Sequence, residues 1–158
     1  MATTVNNTTV QSRITIIFDA DGPLTGDGPA KGTGNTESDV YLDDVVKFNV
    51  RSHTEIDASI HCLQWDATTN TGTIEFTDIR ENESISSFPQ WASNVVIRAE
   101  AQDKWQAAYD ADLSTQFTTW RTANPEANVE TYTADTSQAT AAADTERNTY
   151  LSAHSITY

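Results

Sequence analysis

β-Branched residues and alanine divide this chain near residue 98. Seventeen of its nineteen Val and Ile residues lie at or before Ile97, and only Val129 and Ile156 follow. Alanine does the reverse, with thirteen of nineteen after that point. β-Branched side chains suit pleated strands and alanine suits helices. The expectation is an α+β chain: an antiparallel β-sandwich or small barrel followed by a C-terminal helical hairpin. The predicted boundaries are an extended arm over 1–11, a β-rich domain over 12–98 and a helical region over 99–158. At 158 residues, one domain with a helical appendage is the natural size.

Residues 1–11 are Thr, Asn, Gln and Ser with too little apolar content to fold unaided. Segment 12–19 alternates, with Ile14, Ile16 and Phe18 on one face, and predicts a strand. Residues 22–36 hold five of the six glycines plus Pro23 and Pro29 and predict a long loop. Segment 39–51 reads as one alternating strand, and segment 54–65 as another with Ile56, Ala58, Ile60 and Cys62 on its core face. Residues 66–72 form a turn, and 73–79 return as the second arm of a hairpin with one wet face. Asn94–Arg98 reads as a last strand or the opening of a helix. Over 100–122, Trp105, Tyr109, Leu113, Phe117 and Trp120 repeat at helical spacing and predict an amphipathic helix. Asn124, Pro125 and Glu126 suggest a helix start. A second helix is expected over 137–152. Its apolar face is mainly alanine with Tyr150 and Leu151, so it needs a neighbour to lie against.

Twenty-three acidic residues against nine basic ones give a net charge of -14. Such a field repels phosphate backbones and anionic lipid surfaces, so neither nucleic acid nor membrane is expected as a partner. No stretch approaches eighteen apolar residues, and MATTVNNTTV has neither the basic nor the apolar segment of a secretory signal. Cys62 is the only cysteine, which leaves no internal disulfide and no cysteine metal cluster. No cofactor is implied.

Among chemistry-bearing patterns, residues 14–26 place Asp19 and Asp21 at the end of an apolar strand. This resembles the first motif of haloacid-dehalogenase-type phosphatases. The resemblance implies Asp19 as nucleophile and Asp21 as acid/base around Mg²⁺. It covers about ten residues, and that family requires parallel βα units, whereas a glycine-rich loop and alternating strands follow here. The bland reading is a strand running into an Asp/Gly turn. Asp19, Asp21 and Asp27 are also weak candidates for a Ca²⁺ site, although Pro23 and Ala30 occupy positions where an EF-hand needs ligands. His61 and Cys62 are strand neighbours and point to opposite faces, so they make no catalytic pair. Ser59, Ser84 and Ser86 lack a nucleophile elbow. Trp65 and Trp91 are the better candidates for an interface, since Trp105 and Trp120 lie on the helical stripe.

The polar arm, the 25 threonines, and the Trp105–Leu113 helix with its Ala/Thr/Asp tail look like small virion proteins of tailed bacteriophages. Tail, baseplate or fibre-attachment components are the nearest in style, capsid-decorating proteins the next. The resemblance implies a non-enzymatic virion component whose partners are its own copies and other virion proteins. It carries over no functional residue. The interface candidates are Trp65, Trp91, Tyr150 and Leu151. A carbohydrate- or receptor-binding module is the alternative, followed by the Mg²⁺-dependent phosphatase.

Overall fold

The computed structural model describes residues 13–18, 37–42, 45–51, 56–57 and 59–156, with 37–51 as backbone. Six strands form one antiparallel sheet: β1 (Arg13–Phe18), β2 (Glu37–Leu42), β3 (Val45–Arg51), β4 (Ile60–Asp66), β5 (Thr71–Phe76) and β6 (Glu83–Ile85). Two α-helices follow, α1 (Gln90–Ala123) and α2 (Thr136–Ala153), with a short 3₁₀ turn at Val129–Thr131 between them. An antiparallel sheet followed by two C-terminal helices is therefore the α+β arrangement expected.

The strand order is β3-β2-β1-β4-β5-β6. The first three strands meander, and the fourth crosses back to lie beside the first, which is a Greek-key connection. Strands β4, β5 and β6 then continue the sheet as a second meander. The segment expected as one strand over 39–51 is two, forming a hairpin that closes on the Leu42–Val45 pair. The β4–β5 hairpin lies where a hairpin was expected, although its first strand begins at Ile60, with Ile56 and Asp57 outside it, and its second at Thr71. Its turn is held by the Asp66 carboxylate, which accepts from the Thr68 backbone N–H at 2.8 Å and from the Thr68 hydroxyl. Asn70 sits at φ 51°, a left-handed conformation that asparagine tolerates.

Ile14, Ile16, Phe18, Leu63, Trp65 and Ile74 cover one face of the sheet and lie in one core with Ala92, Val95, Val96 and Ala99 of α1. Register explains the set: Ile14 pairs with Trp65, Ile16 with Leu63, and Leu63 with Ile74. Two corrections follow. Asn94–Arg98 is helix, because Ala92, Val95, Val96 and Ala99 recur at i, i+3, i+4 and i+7 and bury one face together. That burial outweighs the weak strand preference of two valines.

Trp65 is the second correction. It is 3% exposed and belongs to the core, so it offers no surface to a partner. Its face changes at an irregularity between Ile60 and Cys62, where Ile60 pairs with Phe76 but Cys62 with Glu75. One extra residue at such a bulge reverses the inside/outside alternation beyond it. Leu63 and Trp65 thereby join Ile60 in the core, and Cys62 turns to the face of Ile17, its partner on β1.

The chain divides into two compact units between Glu100 and Ala101. In the second unit the antiparallel course of α1 and α2 is written in side-chain hydrogen bonds. Trp105 Nε1 donates to Asp144 Oδ1 at 2.8 Å, Gln138 Nε2 to Asp112 Oδ1 at 3.2 Å, and Gln116 Nε2 to the Asp135 carbonyl at 2.9 Å. Asn124 closes α1, its backbone N–H and its side-chain amide both donating to the Trp120 carbonyl. The start of α2 is capped by Asp135, which accepts from the Gln138 N–H at 3.0 Å. Asn124-Pro125-Glu126, read as a helix start, lies in the link between the two helices instead.

Candidate functional site

A cleft of about 370 Å³ opens where β4, β5 and β6 pass under the start of α1. Its floor is apolar because alternation along β4, β5 and β6 sends Ile60, Ile74 and Phe76, with Ile85, to the α1 side of the sheet. Pro89 fixes where the helix begins. It has no N–H to leave unpaired, and its carbonyl accepts from Ala92 and Ser93, each at 3.1 Å. Trp91 follows at once and forms a wall, its ring tilted 48° against Phe18 at 5.9 Å. Phe76, Ile85 and Trp91 are partly buried: they pack on the core without being covered by it. Trp91 thus retains accessible surface, as its reading as an interface residue requires.

The rim is charged, and Arg80 organises it. Its Nη1 donates to Asp57 Oδ2 at 3.0 Å, its Nε to Asp78 Oδ2 at 2.9 Å, and its Nη2 to the Ser59 hydroxyl. The guanidinium also lies 4.2 Å from the centre of the Phe76 ring. The Ser59 hydroxyl and N–H both donate to Asp57, and with Arg80 they hold that carboxyl well below the usual carboxylate range. Asp78 is lowered chiefly by the hydrogen bond from Arg80, and Arg80 is raised by Asp78 and Asp57 in turn. Ser59 is therefore held between a carboxylate and a guanidinium, and Asp57, its carboxyl held low, is a poor base for the Ser59 proton. Among the described residues Glu83 adds an exposed carboxylate that forms no ion pair.

The opposite face of the sheet is polar. Arg13, Thr15, Gln64, Asp66, Thr71 and Thr73 line a shallow depression of about 410 Å³ there. Cys62 is on this side of the sheet but 5% exposed. Burial, with the Glu75 carboxylate adding to it, pushes its thiol up to about 11, so it stays protonated and unreactive at neutral pH.

Of the other expected site residues, Leu151 is 2% exposed and belongs to the interior of the helical unit, which removes it from any interface. Tyr150 is half-buried, with Lys104 Nζ 4.9 Å from its ring centre and the His154 ring at 4.5 Å. Asp19, Asp21 and Asp27 lie outside the described residues. Among the described residues no group of three or more His, Cys, Asp or Glu side chains could hold a metal ion, and no helix is long and apolar enough to cross a membrane. Sequence reasoning found Trp91 but not Arg80, whose contact with Asp57 spans 23 positions and leaves no local pattern. No family model, curated protein or solved structure is significantly similar to this chain.

Proposed function

We propose that this chain is a non-enzymatic structural subunit that assembles with its own copies and with other proteins. The setting we propose is the virion of a tailed bacteriophage, on the tail, baseplate or fibre side in preference to capsid decoration. One observation carries the assembly reading. The aromatic stripe on the second half of α1 faces a helix that contributes mainly alanine, and it is only partly covered. Within the helical unit Ala101, Ala139, Ala143 and Leu151 are the buried hydrophobic residues among those described. Trp105, Tyr109, Leu113 and Trp120 are only half-buried, and Phe117 is 39% exposed. Contiguous apolar surface of this kind is what subunits cover in each other. The virion setting rests on resemblance in composition and layout.

The absence of chemistry is part of the same reading. Asp57, Ser59, Asp66, Asp78, Asp135 and Asp144, which could serve as acid, base or nucleophile, are engaged in turns, caps, hydrogen bonds and ion pairs. For the β-rich part we propose the finer architecture of a sandwich or small barrel, supported by the Greek-key order of β1 to β4, a connection common in such folds.

Sedimentation velocity of the full chain over a wide concentration range tests the assembly reading. Wild-type protein should populate an oligomer, and Phe117→Asp should shift it toward monomer with helical circular dichroism unchanged. A wild-type chain that stays monomeric throughout refutes self-assembly, as does an oligomer indifferent to Phe117→Asp for this surface.

A further inference from the structure

We infer that the cleft walled by Trp91 and floored by Phe76 and Ile85 docks a segment of a partner protein that carries a bulky apolar side chain flanked by lysine or arginine. This rests on the assembly reading and names the kind of partner it would recruit. The floor supplies the apolar half of the match. Ile60 and Ile74 are buried beneath it, while Phe76, Ile85 and Trp91 keep accessible surface at a cleft of about 370 Å³. That volume is at the small end for a ligand pocket and suits inserted side chains rather than a folded surface. Ile79, the chain neighbour of Arg80, is fully exposed and adds apolar area beside the rim.

The rim supplies the charge. One guanidinium, Arg80, faces two carboxylates, Asp57 at 3.0 Å and Asp78 at 2.8 Å. Glu83 adds another carboxylate with no ion pair among the described residues. Among the described residues the local balance is negative, so a basic segment is attracted and an acidic one repelled. The same balance argues against a second copy of this chain as the occupant, because it carries twenty-three acidic and nine basic residues. A sugar is disfavoured for a different reason. Stacking needs a bare aromatic face, but Phe76 is covered by Arg80 and Trp91 is set against Phe18.

The test uses the full chain and fluorescein-labelled peptides of alternating residues, read by anisotropy. A lysine/phenylalanine peptide should bind, a lysine/serine peptide about tenfold more weakly, and a glutamate/phenylalanine peptide not at all. Glu83→Lys should weaken the first peptide roughly three- to tenfold. Ser87→Trp, which fills the cleft from its lining, should abolish binding. Both positions are exposed, so thermal melts should be unchanged and a folding defect is separable. Absence of lysine/phenylalanine binding, or binding unaffected by both variants, overturns the inference. So does a neutral oligosaccharide that binds wild type and is lost in Ser87→Trp. The sedimentation result with Phe117→Asp is read separately. An oligomer with a silent cleft removes only this inference, and a peptide-binding monomer removes only self-assembly.

Discussion

Gly72 tests the packing at the centre of the core because two ordinary expectations for it have opposite signs. It lies in β5 directly across from Trp65, with Ile85 across from it on β6. A glycine inside a strand usually weakens it, and alanine there would be expected to gain about 0.5–1 kcal/mol. Here a Cβ would stand 2.5 Å from the Gln64 carbonyl oxygen, 2.8 Å from Trp65 Cε3 and 3.2 Å from Ile85 Cγ1. The first is backbone and cannot swing aside, and the second is a fused ring that is 97% buried by its own packing. Forcing an extra methyl into such a site costs about 1–3 kcal/mol. After the glycine gain is subtracted, Gly72→Ala should destabilise by up to about 2.5 kcal/mol. That corresponds to a fall of up to about 10 °C in Tm for a chain of this size. Circular dichroism melts with tryptophan fluorescence as a second probe are sufficient to measure it. In a Trp65→Leu background the penalty should shrink without vanishing, since the carbonyl clash remains. A rise in Tm for Gly72→Ala would show that the indole does not lie over this residue. The register placing Trp65 in the core would then fail with it.

The helical unit and the lone cysteine offer two further tests. Asp144→Ala removes the acceptor for Trp105 Nε1 and should cost about 1–2 kcal/mol in urea unfolding. Asp144→Asn keeps an oxygen acceptor and should cost clearly less. Equal losses would assign the energy to the exposed ion pair with Arg147 and overturn the hydrogen-bond account. Cys62, with its thiol raised to about 11, should react with iodoacetamide at pH 8 about a hundredfold more slowly than a free thiol, and normally once denaturant is added. Labelling of native protein at the free-thiol rate would refute the buried position.

What the sequence shows and what it hides divide along physical lines. Regular alternation delivered Ile14, Ile16 and Phe18 to one face of β1, and an Asp-to-Gly run gave the β4–β5 turn, because both are local patterns. The aromatic repeat from Trp105 to Trp120 gave the second half of α1 for the same reason. The bulge at Ile60–Cys62 has no local signature, since its extra residue is defined only by pairing with Phe76 and Glu75 on another strand. Trp65 was placed on the wrong face by that single slip. The first turns of α1 were legible in the Ala92, Val95, Val96 and Ala99 spacing, but two adjacent valines drew the reading toward a strand. β6 is three residues long and is too short for any periodicity to declare it. The cleft was partly legible: Trp91 stood out as an aromatic after a Phe-Pro pair. The ion-pair cluster around Arg80 needed the fold to bring Asp57 and Asp78 together.

The acidity of this chain has two components that the structure separates. Part of it is engaged locally. Asp66 holds the β4–β5 turn, Asp135 caps α2, Asp112 accepts from Gln138, and Asp144 accepts the Trp105 indole. Several such groups are stabilised in their ionised form by these donors, as the lowered Asp57 and Asp66 show. Carboxylates bound this way are poor acids and poor bases, because giving or taking a proton breaks the contacts that fold the chain. Glu83, exposed and without an ion pair among the described residues, adds negative charge at the rim of the Trp91 cleft. On the proposed assembly reading, repulsion between copies at -14 each would make a positively charged neighbour useful to any close packing of them.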